Sequence, residues 1–125
     1  MGEIESYFFD TYAFFEIING NPNYEKYSKG IAIVTTKLNL MELHYGLLAS
    51  YGKETADKYF DKFIDLCIEI DDKIIKSANN FRYLFKKKKL SYIDCVGYIL
   101  AKARNLRFLT GDMQFEDMEN VEFVK

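Results

Sequence analysis

A chain of 125 residues that is 49% hydrophobic and 17% aromatic can bury one core of ordinary size and is too short to divide readily into two, so residues 1–125 are expected to form a single domain. Its net charge of −2 supplies no global basic field for a nucleic-acid partner, although local patches or bound cations can still supply one. No apolar run approaches the roughly 18 to 20 residues of a membrane span, and Cys67 and Cys95 lie in apolar contexts without metal-like spacing, which suits buried thiols in a reducing, cytoplasmic setting. The N-terminus lacks the basic and apolar regions of a secretory signal. Met1 to Ser6 does fit the loose N-myristoylation pattern, which is short enough to arise by chance and has meaning only in a eukaryotic cell.

Tyr7 to Phe9 is a compact apolar run that Asp10 ends at once, where a buried strand would surface, and it reads as the first strand. Tyr12 to Ile18 groups its apolar residues as a helix does and stops at Asn19-Gly20, after which Asn21-Pro22 opens a short helix that Gly30 closes. Ile31 to Val34 is β-branched and continuously apolar, as a strand covered on both faces is, and Thr35 or Thr36 caps a helix that runs to Tyr51 before Gly52. From Glu54 to Leu66 the period is helical, with Tyr59, Phe60, Phe63 and Ile64 as its apolar stripe, and Cys67 to Ile70 gives a third strand. Asp71 or Asp72 caps a helix that carries Ile74, Ile75, Ala78, Phe81, Leu84 and Phe85 inward. It ends in Lys86 to Lys89, whose charges complement the C-terminal dipole.

Ser91 caps the next helix, in which Ile93, Val96, Gly97, Leu100 and Ala101 recur at three- and four-residue steps as one buried face. Asn105 stops it, Arg107 to Leu109 forms a short fourth strand, and Thr110-Gly111-Asp112 brings a hydroxyl and a carboxylate to that strand's C-terminal end. Gln114 to Met118 fits one further turn, and Val121 to Val124 closes the chain as a last strand. Strands alternating with helices throughout define an α/β class, a three-layer α/β/α sandwich around a central parallel sheet. In such sheets ligands bind beyond the carboxyl ends of the strands, and Asp10 and Asp112 both occupy that edge.

Four acids are candidates for one site: Asp10 after the first strand, Glu42 within a helix, Asp94 in a helix first turn, and Asp112 after the fourth strand. Carboxylates gathered without compensating Lys or Arg must bind cations or take up protons, because like charges at short range raise one another's pKa. Oxygen-preferring Mg²⁺ or Mn²⁺ would be the natural counterions, and such ions polarise phosphoryl oxygens and activate water. Each acid also has a plainer role. Asp10 suits a helix cap, Asp94 a capping or dipole residue, Asp112 a turn residue, and Glu42 a partly exposed helix position.

In order along the chain, Phe8-Phe9-Asp10-Thr11, Glu42-Leu43-His44-Tyr45-Gly46, Leu90-Ser91-Tyr92-Ile93-Asp94 and Leu109-Thr110-Gly111-Asp112 with Phe115 resemble the motifs of PIN-domain nucleases. The likeness covers nearly the whole chain and is greatest to the compact VapC-type toxins, Mg²⁺-dependent ribonucleases that pair with a small antitoxin. The resemblance implies a sheet ordered 3-2-1-4-5, which makes neighbours of the first and fourth strands and so of Asp10 and Asp112. It also implies that Asp10, Glu42, Asp94 and Asp112 are the catalytic, metal-binding acids, with Thr11 and Thr110 as supporting hydroxyls and Glu116 or Asp117 as a further acid. RNA is then the substrate, Mg²⁺ or Mn²⁺ the cofactor, and a small antitoxin and a second copy in a homodimer the partners. The chain departs from the family pattern at Tyr12, where a small polar residue is frequent, in the residues ahead of Tyr7, and in lacking an arginine near Glu42.

His44 is the only histidine, but two helix positions from Glu42 put it about 200° around the axis, which makes it structural rather than a general base. Lys86 to Lys89 reads first as a solvated helix end and second as an RNA-backbone site, and Tyr92 and Tyr98 are core or rim as readily as base-stacking groups. The aromatic helices from Tyr12 to Tyr27 and around Tyr51 to Phe63 carry much apolar surface for so small a domain, and either they are all core or an antitoxin groove and a self-association face are expected along them. Two other functions compete with the nuclease. One is a catalytically silent PIN-like RNA-binding or scaffold module. The other is a phosphoacceptor receiver domain, which wants an acidic pair after the first strand, an Asp after the third and a Lys after the fifth. Here Asp10 stands alone and Lys125 ends the chain.

Overall fold

Tyr7, Phe8 and Phe9 put aromatic rings on both sides of one strand, a pattern satisfied only where helices cover both faces of a sheet. The computed structural model, which describes residues 4–125, has that arrangement. The myristoylation pattern begins in residues 1–3, outside the described part. Four parallel strands, β1 (Ser6–Phe9), β2 (Ala32–Val34), β3 (Arg107–Thr110) and β4 (Val121–Phe123), lie in the order β2-β1-β3-β4. Around them run α1 (Thr11–Ile18), α2 (Lys37–Tyr51), α3 (Lys53–Phe63), α4 (Asp72–Leu84) and α5 (Tyr92–Ala103). Phe8 and Phe108 face α4 and α5 in one core, while Tyr7, Phe9 and Leu109 face α1, α2 and α3 in the other. The three layers of an α/β/α sandwich follow.

The expected strand order holds with its outermost member missing. Cys67 to Ile70 runs beside β2 but makes a single bridge, from Cys67 to Thr35, with Thr35 N–H donating to Leu66 O and Ile68 N–H to Thr35 O. No longer ladder forms, because β2 ends at Val34 and Thr36 already caps α2. Other expectations shift for equally local reasons. The Asn21-Pro22 helix is a 3₁₀ segment, Pro22–Tyr27, and the Glu54–Leu66 helix is α3 followed by a 3₁₀ turn, Ile64–Leu66. The Gln114 turn is likewise a 3₁₀ turn, Met113–Phe115. On α4 only Ile74, Ala78 and Phe81 point inward, since that helix packs on α5 along one narrow line; Ile75, Leu84 and Phe85 are exposed.

The aromatic run near the start is core rather than a groove. Phe14, Tyr24 and Tyr27 are buried, and the Tyr24 and Tyr27 hydroxyls donate to Val124 O and to Glu122 Oε2, both at 2.6 Å, tying β4 to the opposite side of the molecule. On α3, Tyr59, Phe60 and Phe63 are half-buried against the same core. The exposed apolar stripe lies instead on α2, where Met41, Tyr45, Leu48 and Tyr51 follow one another at three- and four-residue steps.

Two glycines set how closely the elements approach. At Gly97 a Cβ would stand 3.0 Å from the Phe8 ring and 3.2 Å from the Phe108 ring, so α5 rests directly on the sheet. At Gly111 it would stand 2.3 Å from the Tyr12 ring and 2.4 Å from the Val124 carbonyl oxygen, and a backbone oxygen cannot step aside. Gly111→Ala should therefore cost about 1–3 kcal/mol of stability in urea unfolding, the range for overpacking. Gly97→Ala, which meets only side-chain rings, should cost less in the same measurement.

Candidate active site

The three acids at loop and helix starts are placed by ordinary capping. Asp10 follows β1, its backbone N–H donates to Leu109 O at 3.1 Å, and its side chain caps α1 by accepting from Thr11 N–H at 2.9 Å. Asp94 closes a capping box at the start of α5: its Oδ2 accepts from Ser91 N–H at 2.9 Å while Ser91 Oγ accepts from Asp94 N–H at 3.0 Å. Asp112 caps the 3₁₀ turn after β3 through Oδ1, which accepts from Gln114 N–H at 3.0 Å. Each plainer role suggested by the sequence is thus real. It leaves Asp94 and Asp112 with one carboxylate oxygen apiece free of protein hydrogen bonds among the described residues.

Thr110 joins two of these acids. Its hydroxyl donates to Asp10 Oδ2 at 2.7 Å and accepts from Asp112 N–H at 3.1 Å, crossing from β3 to β1 inside the fold. Thr11 is held from the other side. Asn39, fully buried on α2, donates from Nδ2 to Thr11 Oγ1 at 3.2 Å and accepts at Oδ1 from the Thr36 hydroxyl at 2.7 Å. Glu42 lies one turn beyond Asn39, half-buried, with no side-chain hydrogen bond among the described residues. Asn39 was not singled out in the sequence, although a polar side chain three residues past the Thr36 cap and between two leucines is a legible signal for a second capping partner.

Electrostatics brings the four acids together. The Asp10 carboxyl is only 3% exposed, and burial first, then the charges of Asp94 and Glu42, push its pKa up to about 8 against the lowering effect of Thr110 and Thr11. Asp94 is also raised, by burial and by Glu42 and Asp112, with the Ser91 bonds opposing. Among the described residues no Lys or Arg forms an ion pair with any of the four; the pairs that do form lie elsewhere. Nor, among the described residues, are three or more His, Cys, Asp or Glu drawn tightly enough to cage a metal ion. The four acids are thus coupled electrostatically and offer only oxygen donors, with one buried member, Asp10. That donor chemistry suits a hard divalent cation and would suit a thiol-seeking or imidazole-seeking metal poorly.

The remaining candidates make no hydrogen bond to these acids among the described residues. Glu116 is exposed, and Asp117 lies 3.1 Å from the Lys88 ammonium. His44 Nε2 meets Asp57 Oδ1 at 2.8 Å, joining α2 to α3 beside the Phe60 ring, which gives it a packing role. It lines a cleft of about 510 Å³ together with Lys37, Met41 and Phe60, which carries none of the four acids. Tyr98 is buried against Phe81, Phe108 and Phe115, whereas Tyr92 is 63% exposed at the rim.

Asp10 and Asp112, backed by the Thr110 hydroxyl, stand at the carboxyl edge of adjacent parallel strands, where α/β sandwiches place their ligand sites. The PIN domain model matches residues 7–121, and the chain belongs to that family. None of the curated proteins matches it in sequence. Among solved structures, a toxin-antitoxin complex from Klebsiella pneumoniae is similar at TM-score 0.72 and 17% identity, over 93% of this chain and 95% of that one. VapBC2 from Rickettsia felis, bound to a DNA fragment from its promoter, gives TM-score 0.69 and 23% identity over 95% and 97%. VapC20 from Mycobacterium tuberculosis, described as a Sarcin-Ricin loop cleaving toxin, gives 0.71 and 15% over 92% and 98%. These likenesses are of fold. The receiver-domain alternative is overturned by the family match and by the absence, among the described residues, of the third strand on which it depended.

In the unfolded chain the Asp10 carboxyl titrates near 3.8, and in the fold near 8, so between these values the folded protein holds a proton that the unfolded chain has released. Metal-free protein should accordingly melt higher as pH falls from 8 toward 5. Asp10→Asn should be the more stable protein above pH 8, by several degrees, with the difference closing toward pH 5; thermal melts in EDTA read both. Asn39→Ala should cost about 1–3 kcal/mol in urea unfolding, because the buried Thr36 O–H loses its acceptor and Thr11 Oγ1 loses its donor while their bonds to the residue 39 backbone remain.

Proposed function

We propose that this PIN-domain protein is a divalent-metal-dependent endoribonuclease acting in the cytoplasm, the toxin of a toxin–antitoxin pair. The observation that carries the reading is the buried Asp10 carboxyl, coupled electrostatically to Asp94 and Glu42, and through Asp94 to Asp112, with no ion pair to Lys or Arg among the described residues. A structure that keeps such a cluster at a cost in stability does so for chemistry. Asp10, Glu42, Asp94 and Asp112 would hold Mg²⁺ or Mn²⁺, which when bound polarises a phosphoryl oxygen and lowers the pKa of water for attack on phosphorus. Thr110 and Thr11 orient Asp10 from two sides, and the Ser91 cap orients Asp94. Glu42, whose side chain makes no hydrogen bond among the described residues, would be a group able to take the proton of the attacking water.

Membership of the PIN family supports hydrolase chemistry, and likeness to a toxin–antitoxin complex and to a Sarcin-Ricin loop cleaving toxin supports RNA as substrate and a small protein as inhibitor. The exposed line of Met41, Tyr45, Leu48 and Tyr51 on the Glu42 helix offers a partner an apolar seat beside the acids. An antitoxin segment lying there would place an Arg or Lys against the carboxylates and compete with the metal. Self-association as a homodimer would cover further apolar surface, such as Leu84 and Phe85.

Structured RNAs incubated with Mg²⁺ or Mn²⁺ test the reading. The parent chain should cut them; Asp94→Asn, which keeps an acceptor for Ser91 N–H, should not, and Glu42→Gln should be slower by about 10²–10⁴-fold. Mn²⁺ at millimolar concentration should raise the melting temperature of the parent and not of Asp94→Asn. Affinity for a co-purifying antitoxin should fall as Mg²⁺ rises. An intact RNA and a melting temperature indifferent to Mn²⁺ would instead assign the silent scaffold.

A further inference from the structure

A carboxylate cluster repels the strand it is to cut, so a ribonuclease of this kind needs cations of its own close by and at a fixed distance. Beside the acids lies a cleft of about 420 Å³ lined by Arg82, Lys86, Lys88, Lys89, Leu90 and Ser91, and Ser91 is also the cap that holds Asp94. The cleft is tied to the acids a second time through Gln114. The Gln114 side chain pairs with both the backbone N–H and the backbone carbonyl of Lys89, the Gln114 backbone carbonyl accepts from Lys88 Nζ at 2.8 Å, and the Gln114 backbone N–H donates to Asp112 Oδ1. The lysine turn is thereby clipped to the Asp112 turn.

The cations differ in how they are engaged. Lys88 is taken up by Gln114 and Asp117, but Lys86 and Lys89 are exposed and pair with no carboxylate among the described residues. Arg82 donates from Nε to Leu90 O at 3.0 Å and lays its guanidinium 4.1 Å from the centre of the Tyr92 ring. Tyr92, two residues before Asp94, keeps most of its surface in solvent despite that contact. A ring stacked on a guanidinium on one side and open on the other is a platform for a nucleobase, and flanking ammonium groups suit the phosphates of a flexible single strand.

We propose that this cleft is the seat of single-stranded RNA next to the bond to be cut, with Lys86 and Lys89 on two phosphates, Tyr92 stacked on a base, and Gln114 fixing the spacing to the acids. The proposal deepens the ribonuclease reading and rests on it for the identity of the ligand, but its test needs no cleavage. A 5′-fluorescein-labelled 12-nucleotide single-stranded RNA is titrated with full-length protein in EDTA, across a series of salt concentrations, by fluorescence anisotropy. Lys86→Gln/Lys89→Gln should weaken binding about tenfold and make the logarithmic salt slope shallower by about 1.4, the value for two phosphate contacts on a single strand. Tyr92→Leu should weaken binding about five- to tenfold with the slope unchanged, as loss of stacking does. Lys58→Gln/Lys62→Gln, the same charge change on α3, should leave affinity within twofold, and the melting temperature of each variant establishes that it is folded.

Unchanged affinity and slope in the Lys86/Lys89 variant, or an equal loss in the α3 control, would overturn the proposal. If the parent bound RNA in this pattern yet never cut it with Mn²⁺, the cleft would stand and the catalytic reading would fall.

Discussion

The hydrogen bond from the Thr110 hydroxyl to the Asp10 carboxyl, 2.7 Å long and sealed in the core, is the contact on which the rest of the site depends. It spans β1 and β3, strands separated by nearly the whole chain in sequence yet adjacent in the sheet. Through it the position of Asp112 is referred to Asp10, because the same hydroxyl accepts from the Asp112 backbone. Deprotonated Asp10 is costly where it stands, and the donors at Thr110 and Thr11 lessen that cost without removing it. The fold therefore holds this carboxyl protonated well above the usual carboxylate range, up to about 8.

Two independent supports converge on that centre. From the β2 side, Thr36, Asn39 and Thr11 form a buried polar chain that fixes the start of α1 against α2 and so sets Glu42 relative to Asp10. From the opposite side, Gly97 lets α5 descend onto Phe8 and Phe108, which brings its N-terminus and Asp94 to the same edge. In both cases the determining residue is remote from the acid in chemistry: an amide in one, the lack of a side chain in the other. The site is a product of helix placement as much as of its carboxylates.

Much of this was legible in the sequence. The strands at Tyr7–Phe9 and Arg107–Leu109, the Ser91 cap and the acids at strand ends could be read because they rest on local rules of capping, apolar runs and the carboxyl edge of parallel sheets. The third strand misled because Cys67 to Ile70 has a strand's composition, while strand formation depends on how long its neighbour runs, and β2 stops at Val34. The α4 stripe misled because an apolar residue's period does not say how wide a face its partner covers. Tyr24 and Tyr27 looked like surplus surface since their partners, Val124 and Glu122, are about a hundred residues away in the chain. Nothing local reveals such a partner; for Asn39 the pairing with Thr36 was legible from its spacing, but Thr11, to which it donates, belongs to another helix.

The double duty of the acids has a consequence for how substitutions at them are interpreted. Asp94 and Asp112 each spend one oxygen starting a helical turn, and Asp10 does so for α1. An alanine at any of the three removes a charge and a cap together, and the lost cap alone is typically worth about 1 kcal/mol. Asparagine removes the charge and keeps the acceptor. Inactivity of an alanine variant would thus mix a chemical loss with a folding loss, and the gap between the alanine and asparagine variants at one position is itself a measure of how firmly the turn carries its acid.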